Sequence, residues 1–207
     1  AKKPEIESLA FRDYLMRLPR VLRMNLNFSR YLLSQFFIIF GGMGVGFYAV
    51  YARYSFQTAD AFVANLTIAA LVTQSAGIPV FGWLSDRWGH KWLAKLSAAL
   101  GCAALVLIVL APGKNWMYPV FILANLAREG LMVSRESITM EFCSPDRLPT
   151  YTALANTLIA VPFLLAPIAG GLLIYLLGYK ITFMIAAALF VLGWLLLQRG
   201  FRDPRKG

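Results

Sequence analysis

Six long apolar runs, each set off from the next by a short polar break, constrain this chain more than any other feature. They occupy residues 28–54, 61–84, 92–111, 116–142, 152–177 and 181–198. About 20 mostly apolar residues in a helix cross a hydrocarbon core of about 30 Å. Inside lipid, every backbone N–H and C=O must be satisfied within the protein, which leaves helices or closed barrels as spanning structures. Runs of this length predict helices, so the expected fold is an all-α membrane domain of six transmembrane helices. The breaks carry residues that end helices: Pro112 with Gly113, Pro145 with Asp146, and Gly178.

Composition agrees. The 207 residues are 59% hydrophobic and 14% charged, against roughly 25% charged in a soluble domain. A net charge of +10 raises the question of nucleic acid. The basic residues, however, sit in short segments between apolar runs, so the expected partner is the lipid bilayer and no nucleic acid. With the N-terminus in the cytoplasm, 15 of the 20 Lys and Arg residues fall on the inner side, while Arg53, Lys114 and Lys180 fall outside. Arg128 and Arg135 lie within the fourth run. The inner excess of positive charge predicts that both termini are cytoplasmic, in a multi-pass protein of the cell membrane.

Residues 1–27 form a basic lead in which Phe11, Leu15, Leu18 and Leu22 recur at helical spacing among Arg12, Arg17, Arg20 and Arg23. Such a segment suits the inner membrane surface, or serves as a cytoplasmic linker. Residues 199–207 form a basic cytoplasmic tail, which leaves 28–198 as the membrane domain. Cys102 and Cys143 fall in or at the end of apolar runs and predict no disulfide. A single histidine and two separated cysteines supply no metal site, and no cofactor is expected. The lead is too polar for a cleavable signal, and a chain that opens on Ala1 rather than Met reads as part of a longer protein.

The second and third runs are joined by a loop of the form G-x-x-x-D-R-x-G-x-K, with Gly82, Asp86, Arg87, Gly89 and Lys91 at its marked positions. Gly89 permits a tight turn, Gly82 allows helices to approach, and Arg87 and Lys91 satisfy the inner charge bias. This loop, in this slot between two membrane helices, resembles the signature loop of the major facilitator superfamily. The resemblance implies half of that fold: six helices as two inverted three-helix repeats, with a further six-helix half on the same chain or in a second copy. The basic lead is similar to the central cytoplasmic loop of the family and favours the C-terminal half. The strength of the signature loop favours the N-terminal half. The resemblance also implies that Asp86 and Arg87 latch the two halves on the cytoplasmic side. His90 stands where the family has Arg or Lys, and so weakens that latch or makes it pH-sensitive.

In the fifth run, Pro162, Pro167, Gly170 and Gly171 are similar to the end of a P-x-x-G-G motif found in antiporters of the family. The prolines bend a helix and the glycines permit a close crossing. The first run carries Gly41, Gly42, Gly44 and Gly46, expected to make that helix pliable or to admit a close neighbour.

Charge inside the spans points to function. Arg128 and Glu129 lie ~18–20 Å into the fourth run, where an ionised side chain costs about 2.5–3.5 kcal/mol on insertion scales. Each is therefore expected to face a cavity or a partner. Glu129 can take up and release a proton; Arg128 can hold an anionic group or pair with a carboxylate. Arg135, Glu136 and Glu141, nearer the inner interface, are expected to be interface charges or inner-gate contacts. Gln35, Gln74, Asn125 and Asn156 complete the candidates for a cavity, with helix–helix hydrogen bonds as the competing role, shared by Thr73 and Thr157. The resemblance places the first and fourth runs around the cavity, and the nearly pure apolarity of the third and sixth suits helices facing lipid.

The expected function is transport of a small molecule by a secondary transporter working by alternating access, with proton coupling through Glu129. A non-transporting six-helix scaffold and a membrane enzyme are the rival classes. The scaffold gives no reason for charges at depth, and an intramembrane protease needs a histidine within a span, which His90 in the loop is not.

Overall fold

The computed structural model describes residues 26–142 and 148–199. Most of the basic lead, the tail beyond Arg199, Cys143 and the break at 144–147 lie outside the described residues. Among these residues the structure is helical and has no strand. The helices are α1 (Leu26–Gly41), α2 (Tyr48–Phe56), α3 (Asp60–Trp88), α4 (His90–Leu110), α5 (Met117–Glu141), α6 (Leu148–Leu177) and α7 (Tyr179–Arg199). A 3₁₀ stretch, Gly42–Phe47, joins α1 to α2, and the three together make the first span. The remaining helices are the second to sixth spans in order.

Five spans are long and apolar enough to cross a membrane: Leu26–Phe56, Asp60–Trp88, His90–Leu110, Tyr151–Leu177 and Tyr179–Arg199. The fourth span, α5, is set apart by the charges it carries at Arg128, Glu129, Arg135 and Glu136. It is not among the five that qualify by length and composition, and it packs closely on α4 and α3.

Two glycines make the tightest connections. Gly89 stands alone between α3 and α4 at φ +91°, donating its N–H to Ser85 O at 2.9 Å. Gly178 stands alone between α6 and α7 at φ +82°, donating to Ile174 O at 2.9 Å. Both backbones occupy a region that side-chain-bearing residues rarely adopt. The expectation for Gly89 holds, and its counterpart at Gly178 has the same geometry.

The packing repeats as the turns do. The first span packs on α6 and α7; the fourth packs on α3 and α4; and α4 and α7 pack on each other. Exchanging the first three spans for the last three maps this pattern onto itself. Each repeat has an odd number of spans, so the second enters the bilayer from the opposite side, which is an inverted repeat.

Lipid tails are as apolar as leucine side chains, so close van der Waals fit, rather than apolar burial, holds such helices together. Small residues supply the fit. Gly193 of α7 meets the α1 backbone, where an added Cβ would lie 2.8 Å from Ile38 N and 2.9 Å from Ser34 O. In the equivalent crossing, Gly130 of α5 meets Ser97 of α4. Gly41 and Gly101 both receive the Phe190 ring, and Gly44 receives Phe183. Around them Tyr48, Tyr51 and Phe183 form an edge-on aromatic cluster. A second core at the other end joins Phe28, Tyr31, Ile138, Leu154 and Leu197.

One expectation is corrected here. Apart from its chain neighbours, Gly82 has no atom within 4 Å of where a Cβ would stand, so it mediates no close approach within this bundle. Its neighbour Phe81 takes the inward position. Within this bundle α3 and α6 are the least buried spans, while α4 and α7 pack on each other and on α5 and α1.

Candidate functional site

A cavity of about 760 Å³ opens between the first span, α5 and α6, with Gly101 and Leu105 of α4 and Phe190 of α7 at its back. The glycine-rich stretch of the first span forms one wall, where Gly42 and Gly46 face open space. Their missing side chains leave room that Gly41 and Gly44, packed under phenylalanines, do not. The other walls are apolar, with Ile38, Ile39, Leu131, Met132 and Phe163 prominent. Tyr48 is buried against Phe121 and Phe183 and lines the cavity, whereas Tyr51 is buried against Tyr179 and Phe183.

Of the residues singled out in the sequence, Gln35, Arg128 and Pro167 line this cavity. Arg128 is exposed to it, whereas Glu129, about 100° further round α5, is 2% exposed and not part of the lining. Glu129 is buried within the bundle, and its Oε1 has no hydrogen-bond partner. Two adjacent residues thus have different surroundings: one faces the cavity, the other lies between helices.

The remaining polar candidates are dispersed. The Asn125 amide donates to Phe121 O at 2.8 Å within its own helix. Thr73 and Thr157 likewise donate to carbonyls four residues back. Gln74 is half-buried on α3 and Asn156 exposed on α6, and neither lines the cavity. Pro162 lines a smaller apolar pocket between α1 and α6 with Leu33, Phe36 and Leu158. Both prolines sit inside a helix that continues from Leu148 to Leu177. Gly170 makes the expected close crossing, with the Met43 carbonyl 2.8 Å from where its Cβ would stand. Gly171 has only ordinary contact, with Phe47 at 3.5 Å.

Arg135 is the residue whose place depth arguments missed. It lines the same cavity as Arg128 and sets its guanidinium over the Phe163 ring, 5.4 Å from the centroid. Its backbone carbonyl accepts the Tyr31 hydroxyl at 3.4 Å and Thr139 Oγ1 at 2.8 Å. The signal was in the spacing. Seven residues are nearly two helical turns, so an arginine at 128 that faces a cavity brings the one at 135 to the same face.

At the α3–α4 turn, Asp86 is exposed and makes no ion pair among the described residues. Arg87 lies over the Trp83 ring, 5.4 Å from its centroid, and Lys91 is half-buried at the start of α4. His90 is not a solvated loop residue. Its ring contacts Ser85 Oγ through Nδ1 and stands 3.5 Å from Glu141 Oε1 through Nε2, with both side chains largely buried. The histidine therefore ties the second, third and fourth spans together inside this bundle, and Glu141 serves as an internal contact. At the other end, Arg53 pairs with Asp60 across the α2–α3 connection.

Residues 31–207 match the family model described as Major Facilitator Superfamily, which takes in every described span but for the first residues of α1. A search of curated proteins finds no match. Inverted three-helix repeats, apolar spans and a family match across most of the sequence agree: the chain belongs to the major facilitator superfamily, whose members are membrane transporters rather than enzymes.

Proposed function

We propose that this chain is the C-terminal six-helix half of a secondary transporter that carries a small molecule by alternating access, with its site in the cavity between the first span, α5 and α6. The observation that carries the reading is that cavity: about 760 Å³, of a size to enclose a small ligand, with Arg128 and Gln35 brought to it from separate repeats. Rocking of the two halves would open the site to each side in turn. Glu129 is the coupling carboxylate in this proposal, and Asn125, Gln74 and Asn156 are secondary candidates that a moving bundle or the second half brings to the path. Pro162, Pro167, Gly170 and Gly171 shape α6 along the same wall.

The test does not require the substrate. In the full-length carrier with native cysteines replaced, Ile39→Cys and Met132→Cys are placed in the cavity and treated with a membrane-impermeant thiol reagent. Alternating access predicts labelling in both right-side-out and inside-out vesicles. A static scaffold predicts labelling from one side only, or from neither.

Asp86, Arg87, Gly82, Gly89 and Lys91 form the cytoplasmic latch in this proposal, with the second half as its partner. The exposure of Asp86 leaves its carboxylate available for that role. Asp86→Asn is expected to move the labelling ratio toward the inward-open state by roughly fivefold, the equivalent of about 1 kcal/mol for one exposed ionic contact. An unchanged ratio would remove the latch role.

Orientation rests on the inner excess of Lys and Arg. With both termini cytoplasmic in the cell membrane, Lys114→Cys in the α4–α5 connection is labelled on intact cells, and Trp88→Cys at the end of α3 only after permeabilisation. The reverse pattern would invert the topology.

A further inference from the structure

The cavity has a charge character that transport alone does not explain. Its lining includes two arginines, Arg128 and Arg135, and no aspartate or glutamate. Neither guanidinium has an ion pair among the described residues. The neighbouring carboxylates do not offset them: Glu129 lies between helices and Glu136 is exposed on α5 outside the cavity. A third donor stands opposite. Gln35 on α1 lines the same cavity, is 2% exposed, and its Nε2 has no hydrogen-bond partner. A buried donor left unsatisfied is costly, and so is an arginine held within a span without a partner. Three N–H donor groups lining one cavity, two of them cationic, call for an acceptor that carries negative charge.

The remaining walls say what kind. Leu131 and Met132 lie between the two arginines on α5, Ile38 and Ile39 face them from α1, and Phe163 closes the side from α6. An inorganic oxyanion would leave these surfaces against water, whereas an organic anion would cover them with its own apolar body. Phe163 already holds the Arg135 guanidinium by a cation–π contact, which orients its fork without neutralising it.

We propose that the cavity binds a small organic anion, a carboxylate or phosphate on an apolar body, with Arg128 and Arg135 holding the acid group and Gln35 donating to it from the facing helix. This rests on the transport reading for the site's location. Arginine presents a planar fork that matches carboxylate and phosphate oxygens two at a time. The apolar body lies along Ile38, Ile39 and Met132.

The experiment measures ligand protection of the purified full-length carrier against thermal unfolding. Benzoate, 4-phenylbutanoate, adipate and phenyl phosphate are each compared with the neutral amide or alcohol of the same skeleton, and inorganic phosphate is the control for a bare anion. The expected result is protection by at least one organic anion and none by its neutral counterpart. Arg128→Gln and Arg135→Gln are each expected to weaken that binding by about tenfold or more, and Gln35→Leu by less. Lys114→Gln removes a positive charge outside the cavity and is expected to leave binding unchanged. Should a glutamine variant not fold, Arg128→Lys and Arg135→Lys keep the charge, lose the fork, and are expected to bind more weakly than the parent.

Equal protection by an anion and its neutral partner, no discrimination anywhere in the panel, or full binding by the Arg128→Gln/Arg135→Gln double variant would each overturn the proposal. Carboxylates of the second half as the true partners would show as no anion protection together with stability restored to an arginine variant by removal of the opposing acid, and that also overturns it. Failure of the transport reading is distinguishable. Anion binding without any flux in liposomes sinks transport alone, while flux of neutral or cationic solutes without anion binding sinks this proposal alone.

Discussion

If Glu129 is the coupling carboxylate proposed above, proton-driven accumulation by the full-length carrier is expected to disappear in Glu129→Gln, while downhill exchange of the same substrate continues. The expectation follows from the position of the side chain. Glu129 is 2% exposed within a span, and Oε1 accepts no hydrogen bond. A buried carboxylate within a span is costly to keep charged, and the coupling role proposed for Glu129 requires a side chain that can carry a proton. Glutamine keeps the shape and cannot titrate. Glu129→Met tests folding separately: replacing a buried, unsatisfied polar group by an apolar one of similar volume is neutral or stabilising. Its melting temperature is expected to equal or exceed that of the parent while coupling is still lost. Undiminished proton dependence in Glu129→Gln would assign coupling elsewhere.

The second large effect concerns packing. Gly193→Val is expected to destabilise the bundle by about 3 kcal/mol, read as a fall in the folded fraction of the purified carrier on heating. A Cβ at 193 would stand 2.8 Å from Ile38 N and 2.9 Å from Ser34 O. Both are backbone atoms of α1, so relief requires moving a whole helix rather than rotating a side chain. Ser97 and Gly130 make the corresponding crossing in the other repeat, and Gly130→Val is expected to behave in the same way. The control is Gly42→Ala, where nothing lies within 4 Å; its thermal stability is expected to match the parent. A tolerated Gly193→Val would mean that the α1–α7 contact does not hold the bundle together.

These two residues also show where sequence reasoning reached and where it stopped. A charge at depth announces itself in any hydropathy pattern, so Glu129 and Arg128 were legible as exceptions. That one faces a cavity and the other a helix interface was not, because adjacent helical positions diverge by about 100° and the direction of each face depends on what packs there. Gly193 lies in an apolar run with no sequence mark to distinguish it. Gly82 carries a motif mark yet touches nothing nearby in this bundle. A glycine's role depends on the neighbour across the gap, and that neighbour is more than a hundred residues away in the chain for Gly193, Gly170 and Gly41 alike.

Length and apolarity of six runs determined that this chain is a helical membrane domain, because lipid admits no other use for them among single helices and leaves backbone groups no solvent. The loop around Asp86 and Gly89 was enough to point to the superfamily, since that pattern is local and contiguous. The tertiary structure alone decided that α6 joins the first and fourth spans around the cavity, that α4 and α7 form its packed back, that Arg135 joins Arg128 there with Gln35 on the first span, and that His90 reaches Glu141 inside the bundle. The physical reason is common to all four. In a bilayer the apolar faces of a helix look alike whether lipid or another helix covers them, so only the packing itself distinguishes inside from outside.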